Sequence, residues 1–165
     1  MSRIIELGHP SLPGRGLRDS QRADAPGEGV RSFTSLRAMV LESVGPIRHE
    51  VSVPFHDSQV RSAALLIQTG WDQRWGSEAY WEPGPYLAEH LIFRMVRSGV
   101  RLVGVDFPIS DRTTETRLIT TGKIAVVENL CGLASLQRIG FRFSAIPFDD
   151  ATGSPMPVHA FAEIT

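Results

Sequence analysis

Residues 62–70 (SAALLIQTG), 86–99 (YLAEHLIFRMVRSG) and 100–107 (VRLVGVDF) determine the predicted fold. The first segment is a continuous apolar run that ends at a glycine, which is typical of a strand buried on both faces. The middle segment has apolar residues at helical spacing, with Pro85 before it and Gly99 as a stop signal. The third segment is a further predicted strand. Together the three segments predict a strand–helix–strand unit.

The rest of the chain extends this unit into a mixed α/β pattern. Further strands are predicted over residues 3–7, 48–55, 123–130, 141–148 and 158–164, the last two as a hairpin. Short helices are predicted over residues 32–45 and through Leu130, Leu133 and Leu136. Residues 10–30 are rich in Gly, Pro, Arg and Asp and predict a loop. No internal repeat or linker interrupts the pattern, so we expect a single domain over residues 1–165.

The composition is that of a soluble globular protein. Of the 165 residues, 42% are apolar and 21% are charged, and the formal net charge is -1. Such a charge provides no field that would attract nucleic acid or anionic lipid. The single cysteine, Cys131, excludes an internal disulfide and a thiolate metal cluster. We find no signal peptide or membrane span in the sequence, so we expect a cytoplasmic protein with neither nucleic acid nor membrane as a partner.

Five segments carry motifs in a recognisable order: IIELGHP (4–10), LLIQTGWDQRW (65–75), GVRLVGVDFPISD (99–111), IAVVENLCGLASL (124–136) and GSPMPVHAFA (153–162). Together they resemble the metal-dependent cyclase and kynurenine-formamidase-like hydrolase family. The resemblance implies an α/β mixed fold of the swivelling β/β/α type, with a compact mixed sheet or barrel-like core and a few flanking helices. It also implies an oligomer, at least a dimer, and some members of the family act in secondary metabolism.

The family's signature, His-x-Gly-Thr-His-x-Asp-x-Pro-x-His, is similar to residues 18–28 in only two positions. Asp24 and Pro26 remain, whereas the other positions hold Arg18, Ser20, Gln21, Arg22 and Glu28. The family's remaining ligands are a Glu, which matches Glu128, and a His twelve residues earlier, where this sequence has Thr116. The resemblance therefore implies a metal site that has kept two carboxylates and lost every histidine.

Two carboxylates alone do not bind zinc or manganese tightly, because these sites need imidazole nitrogens as well. Magnesium could use them with several waters, but weakly. We therefore expect no catalytic metal and no cofactor. Arg18 and Arg22 bring positive charge to the same place, and we expect one of them within hydrogen-bonding distance of Asp24 or Glu128. The alternative is a drifted loop whose arginines are solvated.

The candidate catalytic residues are Asp24 and Glu128, as acid or base, and His159, which a strand could aim into the pocket as a general base. Candidate substrate-binding residues are Arg18, Arg22, Trp71 and Ser110.

Other residues permit two interpretations. His9 lies in the GHP turn, where a structural role is more usual than a catalytic one. Trp71, Trp75, Tyr80 and Trp81 indicate either core packing or an apolar wall for a ring-shaped substrate. Cys131 lies at a predicted helix start, which could activate the thiol, although a buried structural cysteine is more common.

Three functions are compatible with these residues. The first is a metal-independent cyclase-like enzyme that acts on a small carbonyl-containing metabolite by acid/base catalysis, in cyclisation, dehydration or isomerisation. The second is a non-catalytic relative that binds a small molecule or a partner subunit. The third and weakest is an amide hydrolase.

Overall fold

The computed structural model describes residues 1–9, 22–24, 33–43, 49–109, 113, 118, 123–148 and 156–165, and only the backbone of residues 22 and 24. Two α-helices are present in these residues, α1 (Asp57–Val60) and α2 (Glu89–Ser98). The strands are β1 (Arg3–Glu6), β2 (Arg22–Asp24), β3 (Phe33–Glu42), β4 (Glu50–Val51), β5 (Ala64–Gln68), β6 (Tyr86–Leu87), β7 (Leu102–Val105), β8 (Ala125–Glu128), β9 (Phe141–Pro147) and β10 (Met156–Ile164). Short 3-10 helices cover Trp71–Arg74, Glu78–Trp81 and Leu133–Ser135.

Eight strands form one sheet that curls back on itself. Strands β3, β5, β7 and β8 are parallel neighbours in that order. Antiparallel pairings continue from β8 to β2, from β2 to β10, from β10 to β9 and from β9 back to β3. Strand β1 pairs with the far end of β10. The sheet is therefore a barrel-like core, and the predicted mixed α/β fold class is confirmed.

Two apolar clusters lie on the two faces of this curled sheet. Alternate residues of a strand point to opposite faces, so each strand contributes to both clusters. In β5, Leu66 packs in one cluster with Val127, Phe143 and Ala160. Its neighbours Leu65 and Ile67 pack in the other cluster, with the residues of helix α2. The parallel strands are thus covered on both sides, which explains their continuous apolar runs.

The strand–helix–strand unit predicted from residues 62–107 is confirmed. Strands β5 and β7 are parallel and adjacent, and α2 connects them. The helix buries Leu91, Ile92 and Met95 against the sheet. It ends at Gly99, whose φ of 77° is readily adopted by glycine.

Several predicted elements differ from the structure. Residues 32–45 do not form a helix, because Phe33–Glu42 is strand β3, paired with β5 and β9. Its buried run from Ala38 to Leu41 is covered on both faces, and such a run cannot be distinguished from a helix by periodicity. Of the strand predicted over 48–55, the structure describes residues 49–55, and among these only Glu50–Val51 pairs with another strand.

Two further differences lie near the candidate site. The predicted helix through Leu130, Leu133 and Leu136 is reduced to the 3-10 turn Leu133–Ser135. Residues Arg22–Asp24, inside the segment predicted as loop, form strand β2. The predicted terminal hairpin is confirmed, since β9 pairs along its whole length with residues 158–164 of β10. Among the described residues, no helix is long and apolar enough to cross a membrane.

Candidate functional site

The carboxyl ends of the parallel strands β5, β7 and β8 lie side by side and carry polar residues. Thr69 follows β5, Asp106 follows β7, and Glu128 is the last residue of β8. Ligand sites in parallel sheets usually lie outside such strand ends. Glu128 is only 6% exposed, and one of its oxygens, Oε2, accepts a hydrogen bond from the Ile109 backbone N–H at 2.7 Å.

Strand β2 brings residues of the altered signature to this end of β8. In the antiparallel register, Arg22 is the partner of Glu128, and Asp24 is the partner of Val126, two residues earlier on β8. Directly opposed residues in such a ladder have Cβ atoms about 4.5–5.5 Å apart. The fold therefore puts the backbones of two predicted site residues, Arg22 and Glu128, next to each other.

Asp106 is fully buried and holds the turn after β5 in place. Its Oδ2 accepts hydrogen bonds from the backbone N–H groups of Thr69 and Gly70, at 2.8 and 2.9 Å. Its Oδ1 accepts one from the Thr69 hydroxyl at 2.6 Å. Burial raises the pKa of Asp106 to about 6, although these hydrogen bonds act in the opposite direction. Asp106 is therefore a tether between β5 and β7 that titrates in a mildly acidic range.

Tyr80 is buried beside these carboxylates. Its hydroxyl donates to the side-chain oxygen of Asn129 at 2.8 Å, and Asn129 directly follows Glu128. Burial is the main reason why the pKa of Tyr80 is raised, and the nearby charges of Asp106, Glu128 and Asp72 raise it further. Tyr80 is therefore a neutral hydrogen-bond donor under all physiological conditions, not a base.

His9 lies next to Tyr80 in an aromatic box. Its ring stacks on Trp75 with centroids 4.0 Å apart, and meets Tyr80 edge-on at 5.8 Å. Burial lowers the pKa of His9 to about 4, against the opposing effects of Asp72 and a hydrogen bond with the Leu130 backbone. Within the described part of the chain, the buried Nε2 atom has no hydrogen-bond partner. His9 is therefore a neutral imidazole near neutral pH. Its stacking on Trp75 depends on tertiary contacts, so no sequence pattern predicts it.

The structure describes only part of the predicted site. Arg18 and Ser110 lie outside the described residues, as does Thr116 at the position of a lost histidine ligand. Of Arg22 and Asp24 only the backbone is described. Glu128 is the one predicted acid or base whose side chain is described at these strand ends.

Two predicted site residues have surroundings that do not support their predicted roles. Trp71 is 2% exposed, belongs to the apolar core, and donates its indole N–H to the Tyr80 carbonyl at 3.0 Å. It therefore has no surface to offer a substrate. His159 is exposed on β10 and pairs with the Glu6 carboxylate, with His159 Nε2 and Glu6 Oε2 2.5 Å apart. Its neighbours Val158 and Ala160, not His159, point into the buried cluster of the barrel.

Cys131 follows Asn129 and Leu130 in the same loop but is not an activated thiol. Burial, assisted by the charge of Asp72, raises the pKa of Cys131 to about 11. The thiol is therefore protonated near neutral pH and is a poor nucleophile.

Among the described residues, the donor atoms at this site do not fit zinc or manganese. In the portion of the chain with described side chains, no group of three or more His, Cys, Asp and Glu residues could hold an ion. The positions that resemble the family's ligands supply only Asp24 and Glu128, and no imidazole. Tight transition-metal sites in proteins combine nitrogen or sulfur ligands with carboxylates. What the site does offer is a buried carboxyl group, a neutral tyrosine and an arginine on the opposite strand.

Comparison with known proteins gives a family match over part of the chain and a fold over nearly all of it. Residues 38–112 match the family described as "Putative cyclase". No curated protein matches the sequence. An isatin hydrolase bound to the product analogue thioisatinate has a similar structure, with a TM-score of 0.71 and 12% sequence identity over 99% of this chain and 92% of that one.

Two further solved structures extend the comparison. A predicted metal-dependent hydrolase from Bacillus stearothermophilus covers 100% of both chains, with 10% identity and a TM-score of 0.72. Isatin hydrolase A from Ralstonia solanacearum has 16% identity and a TM-score of 0.71, over 99% of this chain and 82% of that one. These likenesses establish the fold, and with the family match they confirm the resemblance seen in the sequence.

Proposed function

We propose that this chain, which has the cyclase fold and matches the putative cyclase family over residues 38–112, is a metal-independent acid/base enzyme. Its substrate is a small carbonyl-containing metabolite, and its reaction is a cyclisation, a dehydration or an isomerisation. Secondary metabolism is the setting in which such reactions are common. The observation that carries the proposal is Glu128, a buried carboxyl group at the end of β8 with Arg22 as its register partner.

Glu128 is the proposed acid and base. As a carboxylate it takes a proton from the carbon next to the substrate carbonyl, and as the resulting carboxylic acid it returns that proton to another atom of the substrate. The hydrogen bond from the Ile109 N–H orients the carboxyl group. Asp24, two residues beyond Arg22 on β2, is the second candidate for this role. A carboxyl group in an apolar setting is well suited to such transfers.

Arg22, with Arg18, is the proposed oxyanion partner. When a proton leaves the α-carbon, negative charge develops on the carbonyl oxygen, and a guanidinium fixed nearby stabilises it. Such a group provides this stabilisation without a metal ion. Arginine is suitable because it stays charged at all relevant pH values and presents several donors in a fixed plane.

The enzyme proposal is tested with wild-type protein and Glu128→Gln, which keeps the shape of the side chain and removes its acid/base function. Both proteins are incubated with a panel of small ketones, enols and lactams in the presence of a metal chelator, and the products are compared by mass spectrometry. We expect conversion by the wild type and a loss of about 100-fold or more in the variant, the usual range for an acid/base group. Equal conversion by both proteins would exclude Glu128 as the catalyst.

An amide hydrolase is a second candidate, favoured by the structural likeness to isatin hydrolases. It predicts a gain of one water in the product and a loss of activity on chelation. The third candidate, a protein that binds a small molecule or a partner subunit without converting anything, predicts saturable binding and no product in the same panel.

A further inference from the structure

A cleft lies at strands β3 and β9, away from the strand ends that carry Glu128. It has a volume of about 440 Å³ and lies between helix α1, strand β3 and the start of strand β9. Its lining includes Arg37, Met39, Gln59, Ile139, Phe141 and Arg142. Because two arginines and several apolar side chains line this cleft, we propose that it binds a small organic acid with an apolar body.

The two arginines are a like-charge pair. Arg37 on β3 and Arg142 on β9 are direct register partners in the antiparallel ladder. Like charges in directly opposed positions destabilise a sheet. No ion pair joins either guanidinium to a carboxylate among the described residues. Glu163, the register partner of Arg142 on β10, carries the opposite charge but forms no ion pair with Arg142 among the described residues.

Both guanidinium groups are held in place by backbone carbonyls. Arg37 donates to the carbonyl oxygens of Gln59 and Arg61, each at 2.8 Å. Arg142 donates from one nitrogen to the carbonyl oxygen of Ser35 at 2.9 Å. These bonds restrict the side chains and leave further N–H donors on both groups. An anion placed between them gains charge-assisted hydrogen bonds at a reduced entropic cost.

The apolar side chains that line the cleft determine what kind of anion fits. Met39 and Phe141 are nearly buried and are among its apolar lining residues, and Ile139, which also lines it, is 59% exposed. An exposed isoleucine beside two arginines suits a ligand with a charged end and an apolar end. The volume is within the range of small-molecule sites. A carboxylate that carries an aryl or alkyl group therefore fits better than inorganic phosphate. This inference does not depend on the proposed function.

The test uses three probes: 3-phenylpropanoate, its neutral analogue 3-phenylpropan-1-ol, and acetate, which lacks the apolar body. Binding is followed by amide NMR, where Ile139 and Gly140 report on the cleft. We expect saturable shifts with 3-phenylpropanoate. The alcohol and acetate should bind at least about tenfold more weakly than 3-phenylpropanoate, because each lacks one of the two interactions. Inorganic phosphate serves as a fourth arm, and tighter binding of phosphate than of 3-phenylpropanoate would contradict the amphipathic class.

Variants locate the site. Arg142→Gln should weaken 3-phenylpropanoate binding about tenfold, the value of one charge-assisted hydrogen bond. Arg37→Gln should have a similar effect, and Arg97→Gln, which removes an exposed charge from α2, is the matched control. Without ligand, we expect Arg142→Gln to melt close to the wild-type temperature. The variant loses the hydrogen bond to Ser35 but also removes the like-charge repulsion with Arg37. Binding that is unchanged in Arg142→Gln, or shifts confined to other residues, would overturn the proposal.

Discussion

Glu128 and Arg22 stand directly opposite each other on the antiparallel strands β8 and β2. In the resemblance to the metal-dependent cyclase family, Glu128 matches a ligand position, and Arg22 stands at a position where the family's signature has a histidine. A buried carboxylate without a compensating charge is costly, and the proposed function assigns Arg22 as the source of that charge.

Removing Arg22 should therefore destabilise the fold through Glu128. We expect Arg22→Gln to lower the free energy of unfolding by about 3 kcal/mol, since it removes the positive charge at the register position opposite a buried carboxylate. The double variant with Glu128→Gln should recover part of that loss, because no buried charge remains. Urea denaturation of the wild type, both single variants and the double variant measures the coupling. Strictly additive effects would mean that the two side chains do not interact.

The contribution of Asp106 to the free energy of unfolding should depend more on its hydrogen-bonding shape than on its charge. Asp106→Ala leaves two backbone N–H groups and the Thr69 hydroxyl without their acceptor, and we expect a loss of about 3 kcal/mol or more. Asp106→Asn keeps an acceptor for the backbone donors, and we expect a loss of about 1 kcal/mol. Urea denaturation at neutral pH compares the two. Equal losses would show that the hydrogen bonds of Asp106 do not tether the turn after β5.

The pH dependence of stability should contain two opposing contributions. Asp106 has a folded pKa of about 6, above its unfolded value, so the folded state holds the extra proton and stability falls as pH rises from about 4 to 6. His9 has a folded pKa of about 4, below its unfolded value, so its contribution to stability rises as pH increases from about 4 to 6.5.

Two variants separate these contributions. Asp106→Asn should make stability rise more steeply with pH in this range, because only the His9 effect remains. His9→Phe should make stability fall with pH over the same range. Thermal melting at intervals between pH 4 and pH 7 gives both profiles. Parallel profiles for the two variants and the wild type would contradict the assigned titrations.

Gly104 on β7 should not tolerate a side chain. A Cβ atom there would approach Leu66 Cδ2 to 2.6 Å and Leu130 Cδ1 to 2.7 Å, and both leucines are fully buried. We expect Gly104→Ala to cost about 1–3 kcal/mol of unfolding free energy, as overpacking in a core usually does. Adding Leu66→Val should restore part of the loss. A single variant as stable as the wild type would show that the barrel interior adjusts freely.

The sequence predicts the centre of this fold better than its borders. The unit from residues 62 to 107 is clear because glycines end its segments and its apolar patterns are long. Strand β3 was wrongly predicted as a helix because Ala38–Leu41 is buried on both faces and its partners, β5 and β9, are distant in sequence. Strand β2 has only three residues and pairs with β8 and β10, which are distant in sequence. No local sequence pattern therefore predicts it.

The sequence predicts a carboxylate at the candidate site but does not predict most of the residues that surround it. Glu128 follows from the motif around it, and its burial agrees with a specific role. His159 shows the limit of such reasoning, because alternation on a strand does not indicate which face is buried. Tyr80, Asn129 and Asp106 were missed as a group. Their hydrogen bonds join residues from 36 to 49 positions apart, and only the fold brings them together.

The metal content of the purified protein tests the central claim most directly. The protein is expressed in medium that contains zinc and manganese, purified and dialysed. Its metal content is measured by inductively coupled plasma mass spectrometry, with Glu128→Gln as the control. If arginines have replaced the metal, both proteins should contain far less than one zinc or manganese ion per chain. A stoichiometric ion in the wild type that is lost in Glu128→Gln would contradict the metal-independent mechanism.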